Sequence, residues 1–235
     1  METEITTNSG GVNLRRRAFL QYAGAGAAAM GLLAATGCKK ELAAVPHTQS
    51  LSGNIDIGSG DLAILNYAYA LEQLEAAFYL QVVATPYKGI SDLEKLRLQQ
   101  ICDHEVLHRE FFRAALGSHA IPDLTVDFSK IDFSDRASVL GTAKAFEDTG
   151  VAAYDGAGYL IESADYLTIA GKIVSVEARH AAFIRNLLKE NDFAGADVID
   201  NNGLNNSMTI AEVLPIANTY LKTKVSASNY NYVAS

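Results

Sequence analysis

Hydrophobic residues recur every three or four positions along four long stretches of this chain. These stretches are segment A (about 61–84), segment B (about 92–116), segment C (about 135–162) and segment D (about 166–190). That period is typical of amphipathic helices. Short connections join A to B and C to D, whereas about eighteen residues join B to C. The spacing predicts an all-α fold, a four-helix bundle with one long crossover between its second and third helices.

Residues at the segment ends support these limits. Pro86 follows segment A and Gly117 follows segment B, where each would end a helix. The predicted N-terminal caps are Asp61 for A, Ser91 with Glu94 as a capping box for B, and Ser134 or Asp135 for C.

The pattern weakens on both sides of the bundle. Residues 38–60 contain glycine, serine and proline without periodicity, which predicts a flexible linker. Residues 191–235 form a C-terminal extension. A short helix is predicted there near 208–222, with Thr209 and Glu212 as its capping box, and a polar tail from 225.

Glutamate and histidine lie on the inward faces of the predicted helices, where burial without partners is costly. Segments A and C each contribute one glutamate, and segments B and D each contribute a Glu-x-x-His motif. The six residues are Glu72, Glu105, His108, Glu147, Glu177 and His180.

The spacing of these residues indicates metal binding. Helical residues three apart project from one face, so both side chains of a Glu-x-x-His motif can hold one ion. Carboxylates are hard ligands and imidazole is a borderline one, a combination that suits iron, manganese or zinc. The Glu72–Glu105 interval is 33 residues and the Glu147–Glu177 interval is 30, which makes an internal near-repeat of a helix pair. Two such pairs related by a pseudo-twofold axis would bring all six groups to one point.

This ligand set resembles that of the ferritin-like superfamily, in which four helices supply two single glutamates and two Glu-x-x-His motifs. More narrowly, the chain is similar to an exported group with desiccation-related members. The resemblance covers about residues 61–190. It is carried by Leu71-Glu72-Gln73-Leu74-Glu75-Ala76-Ala77-Phe78-Tyr79, Glu105-Val106-Leu107-His108, Glu147 with Tyr154, and Glu177-Ala178-Arg179-His180.

The resemblance implies a centre of two iron or manganese ions. It assigns Glu72 and Glu147 as terminal ligands, Glu105 and Glu177 as bridging ligands, and one ion each to His108 and His180. Tyr79 and Tyr154 would hydrogen-bond the ligands or shield the site.

Two alternatives stay open from the residues alone. Glu75 lies one turn after Glu72 and would be a further ligand or replace it, although Gly150 stands at the matching place in segment C. The buried glutamates and histidines would otherwise pair with each other and bind no metal. Asp103 and His104 neighbour the site on segment B and are expected at the surface or outside the ligand ring.

Net charge and composition limit the classes of binding partner that we expect. The formal charge is −8, which disfavours nucleic acid and anionic membrane surfaces. Two cysteines cannot build a disulfide scaffold, and 49% hydrophobic residues are enough for a packed core.

The N-terminus is expected to be a targeting segment. Arg16-Arg17-Ala18-Phe19-Leu20 resembles a twin-arginine export signal, and Leu33 to Cys38 resembles a lipoprotein cleavage site. Residues 1–37 would then be an export signal, and Cys38 would carry a lipid that anchors the protein to a membrane. The expected place is the periplasm, or the outer membrane, of a bacterium.

Two functions follow from these expectations. The first is redox chemistry at the two-metal centre, in the manner of a di-iron oxidase, a ferroxidase or a manganese catalase, with oxygen or peroxide as substrate and a role in envelope stress. The second is a non-enzymatic, lipid-anchored structural or desiccation-protective module whose metal is structural or absent. A storage cage is disfavoured, and a homodimer stays open.

Overall fold

The computed structural model describes residues 54–189 and 191–235 and confirms the all-α bundle. Its long helices are α1 (Gly60–Ala84), α2 (Asp92–Leu116), α3 (Arg136–Gly158) and α4 (Ala164–Leu188), followed by the short helix α5 (Ile210–Asn218). The predicted export signal, the lipid site Cys38 and the linker up to residue 53 lie outside the described residues. Within the described ranges, no helix is both long enough and apolar enough to cross a membrane.

The helices pack as two hairpins, α1 along α2 and α3 along α4. Short loops hold each hairpin together, and the segment between α2 and α3 crosses from one hairpin to the other. Phe128 and Phe133 of this crossover pack on Phe78 of α1, with ring centroids 6.0 and 5.8 Å away. The crossover therefore belongs to the hydrophobic core.

Several helix ends match the predicted signals. Ser91 and Glu94 form the capping box of α2, and the Asp135 side chain accepts a hydrogen bond from the Ser138 N–H at the start of α3. Gly117 ends α2 with φ of 54°, a conformation that glycine adopts at low cost.

The prediction that Asp61 caps α1 was wrong. Ser59 occupies the N-cap position, and the Asp61 carboxylate accepts hydrogen bonds from the backbone N–H groups of Glu162 and Ser163. The two hairpins are therefore tied together at this end of the bundle. Ser163 in turn caps α4, since its side chain accepts a hydrogen bond from the Tyr166 N–H. Helix α3 ends before the predicted limit of 162, and α4 begins before the predicted start at 166.

The segment predicted as a linker and the segment predicted as a polar tail each contain a short β-strand. β1 (Ile55–Asp56) pairs in parallel with β2 (Val225–Ser226). Ile57 and Val225 are buried. The linker prediction therefore fails for residues 55–57, and the tail prediction fails for 225–227, because these short hydrophobic stretches cover the core instead of entering solvent.

The C-terminal extension packs closely against α3. Thr209 and Glu212 form the predicted capping box of α5. The Met208 N–H donates to the Ala152 carbonyl oxygen, and a Cβ atom built on Gly156 would lie 1.8 Å from the Met208 carbonyl oxygen. Only glycine permits this contact between the extension and the bundle.

Candidate metal centre

The four long helices bring the six predicted residues together inside the bundle. The four carboxylates of Glu72, Glu105, Glu147 and Glu177 have no exposed surface, and His180 is 4% exposed. The six side chains form two groups that could hold a metal ion, each with ligand atoms within 4.8 Å of one another. One group contains Glu72, Glu105, His108 and Glu177; the other contains Glu105, Glu147, Glu177 and His180.

Three carboxylates surround the Nδ1 atom of His108. The nearest oxygen is Oε1 of Glu177 on α4, at 2.8 Å. Oxygens of Glu72 on α1 and of Glu105 on α2 lie at 3.5 and 3.7 Å. One imidazole nitrogen and three carboxylate oxygens from three helices therefore converge at this end of the site.

His180 has the same surroundings with the helix pairs exchanged. Its Nδ1 atom lies 2.8 Å from Oε1 of Glu105, 3.5 Å from Oε2 of Glu147 and 3.7 Å from Oε2 of Glu177. These distances equal those around His108. The near-repeat in the sequence therefore appears in space as pseudo-twofold symmetry.

Two tyrosines donate hydrogen bonds to the glutamates of α1 and α3 across the bundle. The Tyr79 hydroxyl on α1 donates to Oε1 of Glu147 on α3 at 2.5 Å, and the Tyr154 hydroxyl on α3 donates to Oε1 of Glu72 on α1 at 2.5 Å. Each of these glutamates therefore has one oxygen held by a tyrosine and one oxygen directed into the site.

The remaining ligand atoms have no well-aligned hydrogen bond. Among the described residues, the buried atoms without such a partner include both Nδ1 atoms, Oε2 of Glu72, Oε2 of Glu147 and both oxygens of Glu105 and Glu177. Buried polar atoms are rarely left this way unless a ligand or water completes them. The donor set, with its oxygen majority and two imidazoles, fits two iron or manganese ions.

Burial, together with the charges of neighbouring groups, sets the pKa values of the ligand candidates. Burial and the Glu177 charge raise the pKa of Glu72 well above its usual range, and burial raises the pKa of Glu147 to about 8. Burial opposes ionisation of Glu105 too, but the ion-pair contacts with both histidines outweigh burial and lower the pKa of Glu105 to about 2.

The two histidines also have raised pKa values, which in their case favour the charged form. Burial disfavours their charged forms, yet the ion-pair contacts with the surrounding carboxylates raise the pKa of His108 and of His180 to about 12. Without metal, protons therefore occupy the place where cations would bind.

Glu75 is buried but stands apart from both groups. It is 4% exposed and lies against Gly150, where a Cβ atom would be 3.1 Å from its Oε1 atom. Burial and the charges of Glu105 and Glu177 raise its pKa well above the usual range. The geometry gathers Glu72, not Glu75, with the other ligand candidates.

His104 is exposed and lies outside both ligand groups, as the sequence analysis expected, and it contacts one of the ligand candidates. Its Nδ1 atom lies 2.8 Å from Nε2 of His180, and the two rings are stacked with an interplanar angle of 9°. The available signal was its spacing: His104 precedes His108 by four residues and so lies on the same side of α2.

Comparison with known families agrees with this geometry. The family described as ferritin-like domain matches residues 60–190. The chain belongs to this family. Ferritin-like domains commonly bind metals, and this one places both candidate groups within the matched range. The match ends before α5, so the C-terminal extension is outside it. No curated protein matches the chain.

Proposed function

We propose that this ferritin-like domain holds two carboxylate-bridged iron or manganese ions and uses them to react with oxygen or hydrogen peroxide. Glu105 and Glu177 would bridge the ions, and each ion would take one histidine and one terminal glutamate. His108 and Glu72 would serve one ion, and His180 and Glu147 the other.

The orientation of Glu105 and Glu177 carries this proposal. Each has one oxygen near each histidine nitrogen: Glu105 is 2.8 Å from His180 and 3.7 Å from His108, and Glu177 has the reverse distances. Neither carboxylate has an aligned hydrogen-bond donor. A carboxylate whose two oxygens are directed at two separate positions is arranged to join two cations.

Charge balance supports the same reading. Four buried carboxylates would repel each other strongly if all were ionised. Two divalent cations supply four positive charges, while the histidines bind them as neutral imidazoles. A two-metal centre therefore neutralises the core without requiring any ligand to stay protonated.

The residues around the centre define what it can do. Two iron or manganese ions held by these residues would supply two-electron redox chemistry with oxygen or peroxide. The tyrosines hold the terminal carboxylates so that each presents one oxygen. All four carboxylates are buried, so their oxygens are shielded from bulk water.

Metal content tests the proposal. Protein purified from its native compartment should contain two equivalents of iron or manganese by plasma mass spectrometry, and a Glu105→Ala, His180→Ala variant should contain none. Manganese would direct the next assay to oxygen release from hydrogen peroxide, and iron to ferrous oxidation. A folded native protein without metal would refute the enzyme proposal.

A second function is favoured by one observation. The Glu177–His108 and Glu105–His180 contacts, both 2.8 Å, are good ion pairs even without metal. They would let the bundle persist as a structural or desiccation-protective module. In that case metal removal should leave the thermal unfolding temperature unchanged, whereas a metal centre that links four helices should raise it on loading.

We further propose that the protein works outside the cytoplasm, anchored by a lipid on Cys38. The motifs around residues 16–20 and 33–38 support this. Metabolic labelling with a radioactive fatty acid should mark the protein, and Cys38→Ser should abolish both the label and membrane fractionation. Unlabelled, soluble wild-type protein would exclude the anchor.

A further inference from the structure

A small cavity lies beside the metal centre between α1 and α3, under α5. Its volume is about 20 Å³, and its lining includes Glu75 of α1, Thr149 and Gly150 of α3, and Ile216 and Ala217 of α5. Enclosed space of roughly 10–15 Å³ suffices for one water molecule. The cavity is therefore large enough for one water molecule or for a pair of bonded oxygen atoms.

One polar group in this lining lacks a partner. Glu75 as a residue is 96% buried, and no hydrogen bond or ion pair joins its carboxyl group to another of the described residues. Carboxyl groups buried in this way cost free energy unless a hydrogen bond compensates. Leu71, Leu74 and Phe146 complete an otherwise largely apolar lining and offer no such bond.

The space for this carboxyl group exists because position 150 is glycine. Gly150 is three residues after Glu147, as Glu75 is three residues after Glu72, so the two positions match in the near-repeat. A Cβ atom at position 150 would lie 3.1 Å from the Glu75 oxygen. One half of the repeat thus supplies a carboxyl group and the other half supplies room for it.

We propose that this cavity binds a small hydrogen-bonding molecule, hydrogen peroxide during turnover and water at rest, with the Glu75 carboxyl group as its partner and α5 as its roof. The peroxide assignment rests on the function proposed above, whereas the water site does not. Its lining residues belong to α1, α3 and α5, and none of them is one of the six ligand candidates, so the bound molecule would leave those ligands in place. Helix α5, which lies beyond the residues matched by the family, would thereby form part of this binding site.

Glycine substitutions provide a matched test in the full-length protein. Gly150→Ala places a methyl group against the Glu75 carboxyl group, whereas Gly141→Ala, on the same helix, meets nothing within 4 Å. Both substitutions favour the helix, so both variants should fold. Glu75→Leu removes the hydrogen bond, and Glu75→Gln retains one.

The expected results separate the cavity from the ligands. Metal content should stay at the wild-type value in all four variants. The KM for peroxide should rise about tenfold in Gly150→Ala and Glu75→Leu, the factor that one lost hydrogen bond implies, and should stay near wild type in Gly141→Ala. Glu75→Gln, which retains one hydrogen-bonding group, should raise the KM less than Glu75→Leu. Loss of one metal in Glu75→Leu would instead make Glu75 a ligand and overturn the proposal.

Crystal structures of the metal-free wild type and of Gly150→Ala provide a readout independent of activity. An ordered solvent molecule hydrogen-bonded to Glu75 should appear in the wild type and be absent from the variant. An empty wild-type cavity would overturn the proposal. If the wild type neither binds metal nor consumes peroxide, the proposed function fails, and the crystallographic comparison still decides whether the cavity binds a ligand.

Discussion

The Nδ1 atom of His104 lies 2.8 Å from the Nε2 atom of His180. Because the Nδ1 atom of His180 faces the carboxylates, its Nε2–H is the group that donates to His104. Burial and the neighbouring imidazoles lower the pKa of His104, which keeps it a neutral acceptor. His104 therefore fixes the tautomer and the ring orientation of His180.

His108 has no hydrogen-bond partner of this kind at the matching position of α4. Glu105 corresponds to Glu177 in the near-repeat, so His104 corresponds to Val176, which cannot hydrogen-bond an imidazole. The two proposed metal positions are therefore unequal although their carboxylates are arranged symmetrically.

We expect His104→Ala to weaken the metal position of His180 by about 10- to 100-fold, the usual effect of removing a hydrogen-bond partner of a metal-binding histidine. Titration of the metal-free protein should then resolve one unchanged and one weakened binding step. Val176→Ala is the matched control and should leave both steps unchanged. Equal weakening of both steps would contradict this assignment.

The crossed tyrosine bonds predict a stability effect in the metal-free protein. Tyr79→Phe leaves a buried oxygen of Glu147 without its donor, and Tyr154→Phe does the same to Glu72. Each change should lower the free energy of unfolding by about 1–3 kcal/mol. Tyr159→Phe, at a residue that is 77% exposed, should have no measurable effect. Urea unfolding of the three variants measures the difference, and equal stability would show that the short bonds contribute nothing.

Metal binding should release protons. In the metal-free protein the pKa values of His108 and His180 are raised to about 12 and that of Glu147 to about 8, so these groups carry protons at neutral pH. Metal requires their deprotonated forms. A raised pKa means that protons compete with metal below it, so metal affinity should increase as the pH rises from about 6 to about 9.

Calorimetry in two buffers of different ionisation enthalpy measures this release directly. The apparent binding enthalpy should change with the buffer, and the slope gives the number of protons. The Glu105→Ala, His180→Ala variant should produce no buffer-dependent heat. An affinity that does not vary with pH would show that the site is already deprotonated before metal enters.

Much of the centre could be predicted from the sequence because helical periodicity is strict. Two Glu-x-x-His motifs and two glutamates at matching intervals place six side chains on inward faces, whatever the details of packing. His104 was harder to place because its contact depends on the reach of a side chain across to α4, which spacing on one helix does not reveal.

The chain ends could not be predicted for a different physical reason. β1 and β2 have two residues each, too few for an alternating pattern, and their pairing joins residues 55–56 to 225–226. The two strands lie far apart in the sequence, so no local pattern reports their pairing. The same holds for Gly156, whose glycine looks like a weak point in a helix until Met208 is placed beside it.

That contact gives a final prediction about the extension. A Cβ atom at position 156 would overlap the Met208 carbonyl oxygen, which is backbone and cannot rotate away. Gly156→Ala should therefore push the extension off α3 and lower the free energy of unfolding by about 3 kcal/mol, at the upper end for an overpacked site. Gly141→Ala meets no neighbour within 4 Å and should be neutral or stabilising. Hydrogen exchange should locate the loss: amide protection in α5 should fall in the Gly156→Ala variant while protection in α2 persists. If α5 stays protected and stability is unchanged, the extension does not depend on this close approach.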